Sequence, residues 1–260
     1  MRVARRGVGV GMLVCASAVL AETPVDLHYT VSLGPVDLAD FRAALVDIDG
    51  LQSVQVQFAT RGVASWWSDA EGSLEVMALP NAMRTLSGFG QWGDYSSQVD
   101  VLWPSADRQP QVELIRSRPS KYALTPVPED STAGTVDPFA PVFALSRQLG
   151  LGQACDGLFR VFDGIRRYNV RVTDRQQQAI QDDPPFFSGM SRVCDVSVER
   201  IGGFSERRGL FRFGEEEISR RLYFSEIDGR WWPVRFELTS PLGDAVARLR
   251  TAFDAAAQSD

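Results

Sequence analysis

The sequence predicts a mainly β protein: an antiparallel, strongly curved sheet or open barrel with one principal α-helix at about 137–149. Three observations carry this expectation. Short alternating runs recur along the chain and are separated by turns rather than by helices. Three Asp-Gly pairs, Asp49-Gly50, Asp163-Gly164 and Asp228-Gly229, lie between such runs. Asp-Gly is a strong local signal for a tight two-residue hairpin, because its central positions need positive φ. A single segment, DPFAPVFALSRQLG, departs from the pattern and carries helical spacing instead.

Taken in order, the first strand-like run is Val25–Ser32. FRAALVDI and LQSVQVQF flank Asp49-Gly50, and within Leu51–Thr60 Val54, Val56 and Phe58 alternate with Gln55 and Gln57. This is the two-residue period of a half-buried strand. Ser73–Met77, Val99–Trp103 and Val112–Ser117 read in the same way, followed by the polar loop VPEDSTAGTV. In the helical segment Asp137 is the N-cap and Pro138 the first helical residue. Phe139, Val142 and Phe143 form its apolar stripe with Leu145 and Leu149 beside it, and Gly150 stops it.

A two-residue turn at Asp163-Gly164 opposes Phe162 to Ile165, Val161 to Arg166 and Phe159 to Tyr168. Opposed residues share a face, which puts Phe159, Val161, Tyr168, Val170 and Val172 on one side. Arg160, Arg167, Asn169 and Arg171 fall on the other. Asp163 is then a turn residue rather than a catalytic acid. Val193–Arg200 follows. At Asp228-Gly229 the same device opposes Ser225 to Trp232 and Tyr223 to Val234, with Phe236 and Leu238 continuing the apolar side. Val246–Phe253 is the last strand-like run. No repeat of fixed period and no low-complexity segment interrupts the series.

Arg2, Arg5 and Arg6 precede the apolar run Val8–Leu20, which is too short to span a bilayer. Val19-Leu20-Ala21 offers small residues where a signal peptidase cuts, so residues 1–21 read as a signal peptide with cleavage after Ala21. Residues 22–260 form one periplasmic β-rich domain, with a division into two sub-halves near 127–137 as the alternative organisation. Removing the three leader arginines from 27 basic residues leaves 24 against 33 acidic ones, a net charge of −9. That balance argues against a nucleic-acid or anionic-membrane surface. No later segment is apolar enough to cross a membrane. With Cys15 in the leader, Cys155 and Cys194 remain, and in an oxidising compartment the simplest reading of a lone pair is a disulfide. It closes a loop of about 40 residues, worth roughly 4 kcal/mol in the chain-entropy model. A metal or redox pair is the rival, disfavoured by the absence of a CxxC spacing and by a single histidine, His28.

The ordered series DPFAPVFAL, Cys155, RVFDGIRRYNV, FSGMSRVCDV, IGGF, WWPVRFEL and PLGDAVARL resembles a family of exported Gram-negative bacterial proteins that carries only a domain-of-unknown-function label. The likeness is close over the C-terminal half and looser before it. It implies a periplasmic β-rich domain of the lipoprotein-carrier type. It supports the Cys155–Cys194 bridge and the Asp163-Gly164 hairpin, and it implies no activity and no functional residues.

The chemistry-bearing side chains point the same way. Gly203-Phe204-Ser205-Glu206-Arg207 begins like a nucleophile elbow but has Arg207 where the closing glycine belongs. His28 lies in a strand, where an orienting role is the expectation. Glu215-Glu216-Glu217 and Asp182-Asp183 lack the alternating ligand spacing of a calcium loop. No cofactor and no metal are expected, and no catalytic residue is assigned. The aromatic residues remain. Trp66-Trp67 and Trp231-Trp232 are tandem pairs whose members point to opposite faces of a strand. If the bent sheet is hollow, Phe159, Tyr168, Tyr223, Trp232 and Phe236 line a cavity, with Arg166 near the turn end to meet an anionic headgroup. The packed-core reading of the same residues stands beside it. The favoured function is a non-enzymatic periplasmic protein that binds a hydrophobic or lipid-like ligand or acts as an envelope-associated factor, with a lipid or an envelope protein as partner. The alternatives are a carboxylate-dependent envelope hydrolase and an interaction module that docks a partner on a sheet edge.

Overall fold

The computed structural model describes residues 24–62, 65, 69–117, 123–205, 219–240 and 243–251. The leader at 1–21, Trp66-Trp67, the glutamates at 215–217 and the end of the nucleophile-elbow-like stretch, Glu206 and Arg207, lie outside the described residues. Among those described, thirteen strands form one antiparallel sheet that is not closed, accompanied by one α-helix. The first seven strands are β1 (Val25–Leu33), β2 (Val36–Ile48), β3 (Leu51–Thr60), β4 (Ala70–Ala78), β5 (Arg84–Trp92), β6 (Tyr95–Trp103) and β7 (Gln111–Arg116). Helix α1 (Ala140–Gly150) follows. Then come β8 (Gly157–Phe162), β9 (Arg167–Ile180), β10 (Gly189–Gly202), β11 (Ser219–Ile227), β12 (Arg230–Ser240) and β13 (Gly243–Leu249). The spatial order runs β7-β6-β5-β4-β3-β2-β1-β13-β12-β11-β10-β9-β8. Two meanders are therefore joined by the pairing of β1 with β13, where Tyr29 lies opposite Leu249 and Val31 opposite Ala247.

The Asp-Gly turns at 49–50 and 228–229 adopt positive φ at both residues, as a type I′ hairpin requires. The turn at 163–164 does not. Only Gly164 has positive φ there. The Asp163 carboxylate accepts the N–H groups of Ile165 (3.0 Å) and Arg166 (2.6 Å), which widens the connection to a four-residue loop. The register is consequently offset by two: Phe159 faces Val170, Val161 faces Tyr168 and Phe162 faces Arg167. An even offset leaves the face assignment of the alternating residues unchanged. A second correction falls on β12. Ser225 does face Trp232, but Tyr223 faces Arg235 rather than Val234, because a bulge intervenes. Pro233 sits at that irregularity, and proline has no N–H to give to the ladder.

The helix begins a little later than its sequence signal, yet Asp137 still caps its first turn. Asp137 Oδ1 accepts the N–H of Phe139 at 2.8 Å and of Ala140 at 2.9 Å. Gly150 is its last residue, and the left-handed residue beyond it is Gly152. Strand β5 has no counterpart among the sequence-derived runs. Gly88 and Gly90 interrupt its pattern, and the space a Cβ would need there is taken by Leu74 and Val99 at the first and the Trp92 ring at the second.

Two apolar clusters make the core. The larger contains a row running straight across five strands, Leu45, Val54, Val76, Leu86 and Val101, each 3% exposed or less. The smaller surrounds the disulfide and contains Leu145, Leu149, Val172 and Phe224. Helix α1 joins the two, because its Phe143 belongs to the larger cluster and meets Trp232 edge-on at 6.1 Å. Trp231 packs against the smaller cluster, so the tandem pair is divided between them. The Cys155–Cys194 bond is formed, with both residues fully buried and Cα atoms 6.1 Å apart.

The sheet curls until its ends approach, but the seam is crossed by irregular chain. β7 and β8 are the two edges. Gly164, at the β8–β9 turn, lies so close to Val99 and Val101 of β6 that an added Cβ would sit 2.4 Å from the first. The segment before α1 then braces the gap. Thr125 exchanges backbone hydrogen bonds with Gly203 and Phe204, each at 2.8 Å. Val136 donates to Arg160 O at 2.8 Å and accepts from Phe162 N at 3.0 Å, which covers the edge of β8. Trp103 Nε1 donates to Thr135 Oγ1 at 3.2 Å, and Arg84 on β5 reaches the buried Asp137 at 2.6 Å.

Replacing both Cys155 and Cys194 by Ala should lower unfolding free energy by about 2–4 kcal/mol, since the bond closes a long loop. Urea denaturation of the variant against the oxidised wild type measures this. A loss below about 0.5 kcal/mol would mean that the link constrains little in the unfolded chain.

Candidate functional site

Alternation on β1 brings Leu27, Tyr29 and Val31 to one face, and alternation on β2 does the same for Phe41, Ala43 and Leu45. The register sets Leu27 opposite Ala43 and Tyr29 opposite Phe41, with those two rings edge-on at 5.7 Å. Across the junction of the meanders, Val31 faces Ala247, Ala247 faces Phe236, and Phe236 faces Leu222. Ala43 and Ala247 are the small members of these rows. Phe139, just before α1, and Val142 in its first turn, together with Pro233 and Arg235, complete the wall of a cavity of about 260 Å³. This lies just under the usual size of small-molecule sites, about 300–1,000 Å³.

The wall holds two groups with polar heads, and both heads are engaged. The Tyr29 hydroxyl donates to Pro233 O at 2.6 Å. Burial pushes its pKa well above the usual phenol range, so the ring stays neutral. Arg235 Nη1 donates to both oxygens of Asp182, at 2.8 and 2.7 Å, and its Nε lies 2.7 Å from Glu237 Oε1. The Asp182-Asp183 pair is thus partly an anchor for the β9–β10 loop.

Of the six residues proposed from sequence to line a ligand cavity, Phe236 lies in this wall. Trp232 is 1% exposed in the larger cluster. Tyr223 is buried and donates its hydroxyl to Glu237 Oε2 at 2.7 Å. Phe159 packs at the disulfide cluster, with its ring against Gly157. Tyr168 stands edge-on to Phe204 at 6.3 Å. Arg166 is held by the Asp163 carboxylate, 2.8 Å from Nε. Among the wall residues not proposed from sequence, Leu27, Tyr29, Phe41 and Ala247 belong to runs that read as strands. Their convergence depends on the pairing of β1 with β13, which joins residues more than 200 positions apart and leaves no local signal.

A second hollow of about 330 Å³ sits at the seam, between Val112 and Pro110 on one side and Val127, Pro128 and Phe162 on the other. Its wall also carries Gln109, Glu129 and Thr132. Gln109 Nε2 donates across it to Glu129 O at 3.1 Å. Beside it, β7 leaves Val112, Leu114 and Ile115 exposed on the terminal strand.

Several titratable groups are arranged in ion pairs. His28 Nε2 lies 3.2 Å from Asp26 Oδ1, and Arg42 holds the same carboxylate through Nε and Nη2. The hydrogen bond from Arg42 keeps Asp26 below the usual carboxylate range. Burial alone would push Asp174 up. The Arg192 guanidinium and the N–H groups of Cys155 and Gln176 together outweigh it, and the carboxyl ends below its ordinary value. Asp107 is likewise lowered, chiefly by Ser105. Among the described residues, the carboxylates that move all move down, the opposite of what a general acid at neutral pH needs. Among the described residues no helix is long and apolar enough to cross a membrane.

A family model described as a protein of unknown function, DUF3108, matches residues 28–250. A solved structure, that of a beta-barrel-like protein of domain of unknown function DUF1849 from Brucella abortus, is similar at 12% identity with a TM-score of 0.56. The alignment covers 87% of this chain and 95% of that one, and at such low identity it shows a shared fold. No curated protein sequence matches the chain.

Asp174 gives the pH test. A carboxyl whose folded pKa is lowered stabilises above its unfolded value of about 3.9 and ceases to do so as pH falls through the folded value. The stability gap between wild type and Asp174→Asn should be full near pH 6 and shrink once pH drops below about 4. Urea midpoints measured across pH would show this, and a gap of constant size would contradict the assignment.

Proposed function

This chain belongs to the DUF3108 family, and we propose that it is an exported, periplasmic binding protein that takes an apolar, lipid-like ligand into the cavity walled by β1, β2, β11, β12, β13 and α1. The observation that carries this reading is the wall itself. It is built almost wholly from aliphatic and aromatic side chains, and its two polar heads are already bonded within the protein. Such a surface gains from contact with hydrocarbon and offers little to a polar solute. The wall strands are held in continuous antiparallel ladders, and helix α1 is fixed at its first turn by Asp137, so the cavity is formed before any ligand arrives.

Two features support export. Arg2, Arg5 and Arg6 before the apolar run suit a secretory leader, and a buried disulfide suits an oxidising compartment. Binding is favoured over the carboxylate hydrolase because Asp26, Asp107 and Asp174 are held in the ionised form by hydrogen bonds and ion pairs. In this reading the protein is an envelope factor whose work is to hold or present an apolar molecule.

The neutral fluorophore N-phenyl-1-naphthylamine should brighten on binding the purified mature protein. Ala247→Trp, which fills the cavity from β13, should weaken that binding by about tenfold or more, roughly 1.4 kcal/mol. Unchanged probe affinity in a variant that melts like wild type would place the bound probe elsewhere and count against this cavity.

A further inference from the structure

We propose that the cavity is selective for uncharged ligands and excludes carboxylate or phosphate groups from its interior, an inference that rests on the apolar-ligand reading above. An Arg in a ligand cavity ordinarily invites an anionic head, because the guanidinium presents a fork of donors to a carboxylate or phosphate. Arg235 does not stand free for this. Its Nη1 is shared by both oxygens of Asp182, and its Nε faces Glu237. Its guanidinium carbon lies 5.9 Å from the Tyr223 ring, and the hydroxyl of that ring is bonded to the other oxygen of Glu237. One cation is therefore gripped by two carboxylates, one of them fixed in turn by a tyrosine.

The other charged group nearby is Arg248, which faces Arg235 across the β12–β13 ladder. Its Nη2 donates to Ser32 Oγ at 3.3 Å, and its guanidinium lies over the Phe186 ring at 5.1 Å. It is not part of the cavity wall. The remaining donor of the wall, the Tyr29 hydroxyl, gives its proton to Pro233 O. An anion drawn into the cavity would leave its water, meet a guanidinium already paired with two carboxylates and lie near those two fixed negative charges. A neutral chain meets none of these penalties, since it has no charge to desolvate. Selectivity of this kind arises from the groups that a wrong ligand leaves unpaired more than from added contacts with the right one. A lipid would thus insert an uncharged hydrocarbon part and keep any ionised head outside.

The experiment compares methyl octanoate with octanoate at pH 7 as displacers of the neutral fluorophore. The ester should displace at least about tenfold more effectively. Freeing Arg235 with Asp182→Asn or Glu237→Gln should shift the ratio of the two affinities toward octanoate by several fold, relative to wild type. Octanoate displacing as well as the ester, or ratios that do not move in folded variants, would overturn the selectivity while leaving an apolar site in place. Failure of both displacers against wild type would overturn the apolar-ligand reading and the selectivity with it.

Discussion

Asp137 is fully buried, and its carboxylate joins the start of α1 to β5. One oxygen accepts the first N–H groups of α1. The other takes Arg84 from β5 at 2.6 Å. The residue before it, Val136, is bonded to β8, and Thr135 receives the Trp103 indole from β6. A long antiparallel sheet that curls without closing leaves two unpaired edges, which are liabilities wherever they stay exposed. Here the edge of β8 is covered by the approach to the helix, and that approach is tied down on β5 and β6. A buried ion pair adds little net stability over an apolar replacement, because desolvation offsets the attraction. Its loss on one side only is costly, and this directionality makes it suited to fixing where chain segments meet.

The position of the cavity follows from that junction. Phe139 and Val142 are wall residues because the first turn of α1 begins where Asp137 holds it. Farther along the same helix, Phe143 enters the larger cluster, and Leu145 and Leu149 enter the smaller one beside the disulfide. The helix is thus pinned at its start by a carboxylate and flanked at its end by Cys155, whose bond to Cys194 ties it to β10. Between these fixed points the small side chains of Ala43 and Ala247 leave the volume that larger residues would have filled.

Much of the fold is legible in the sequence because hairpins are local. Asp49-Gly50 and Asp228-Gly229 specify their turns by backbone conformation alone, and the cysteine pair follows once Cys15 is assigned to a leader. The exceptions have physical causes. Asp163 bonds its own loop and widens it by two residues. Pro233 cannot complete a ladder, so β12 bulges and Tyr223 meets Arg235. Gly88 and Gly90 hide β5 because the strand uses absent side chains to admit its neighbours. The site is less legible than the fold. Alternation indicates which residues share a face, and it correctly groups Phe159 with Tyr168, but it is silent on which strands lie across the bend. The wall depends on the pairing of the first described strand with the last, and of the six residues offered from sequence as cavity lining Phe236 alone stands in it. The state of Arg235 also depends on Asp182, more than 50 positions away, and so could not be read from the residues around it.

The account depends most directly on Asp137 as the tie across the seam, and native-state hydrogen exchange on Asp137→Ala tests it. The amides of Val136, Phe162 and Ala140 should lose protection together by about a hundredfold or more, corresponding to the roughly 3–5 kcal/mol typical of a broken buried pair, while those of Val54 and Val76 in the central row keep theirs. Equal losses at the seam and in the central row, or no loss at the seam, would contradict it.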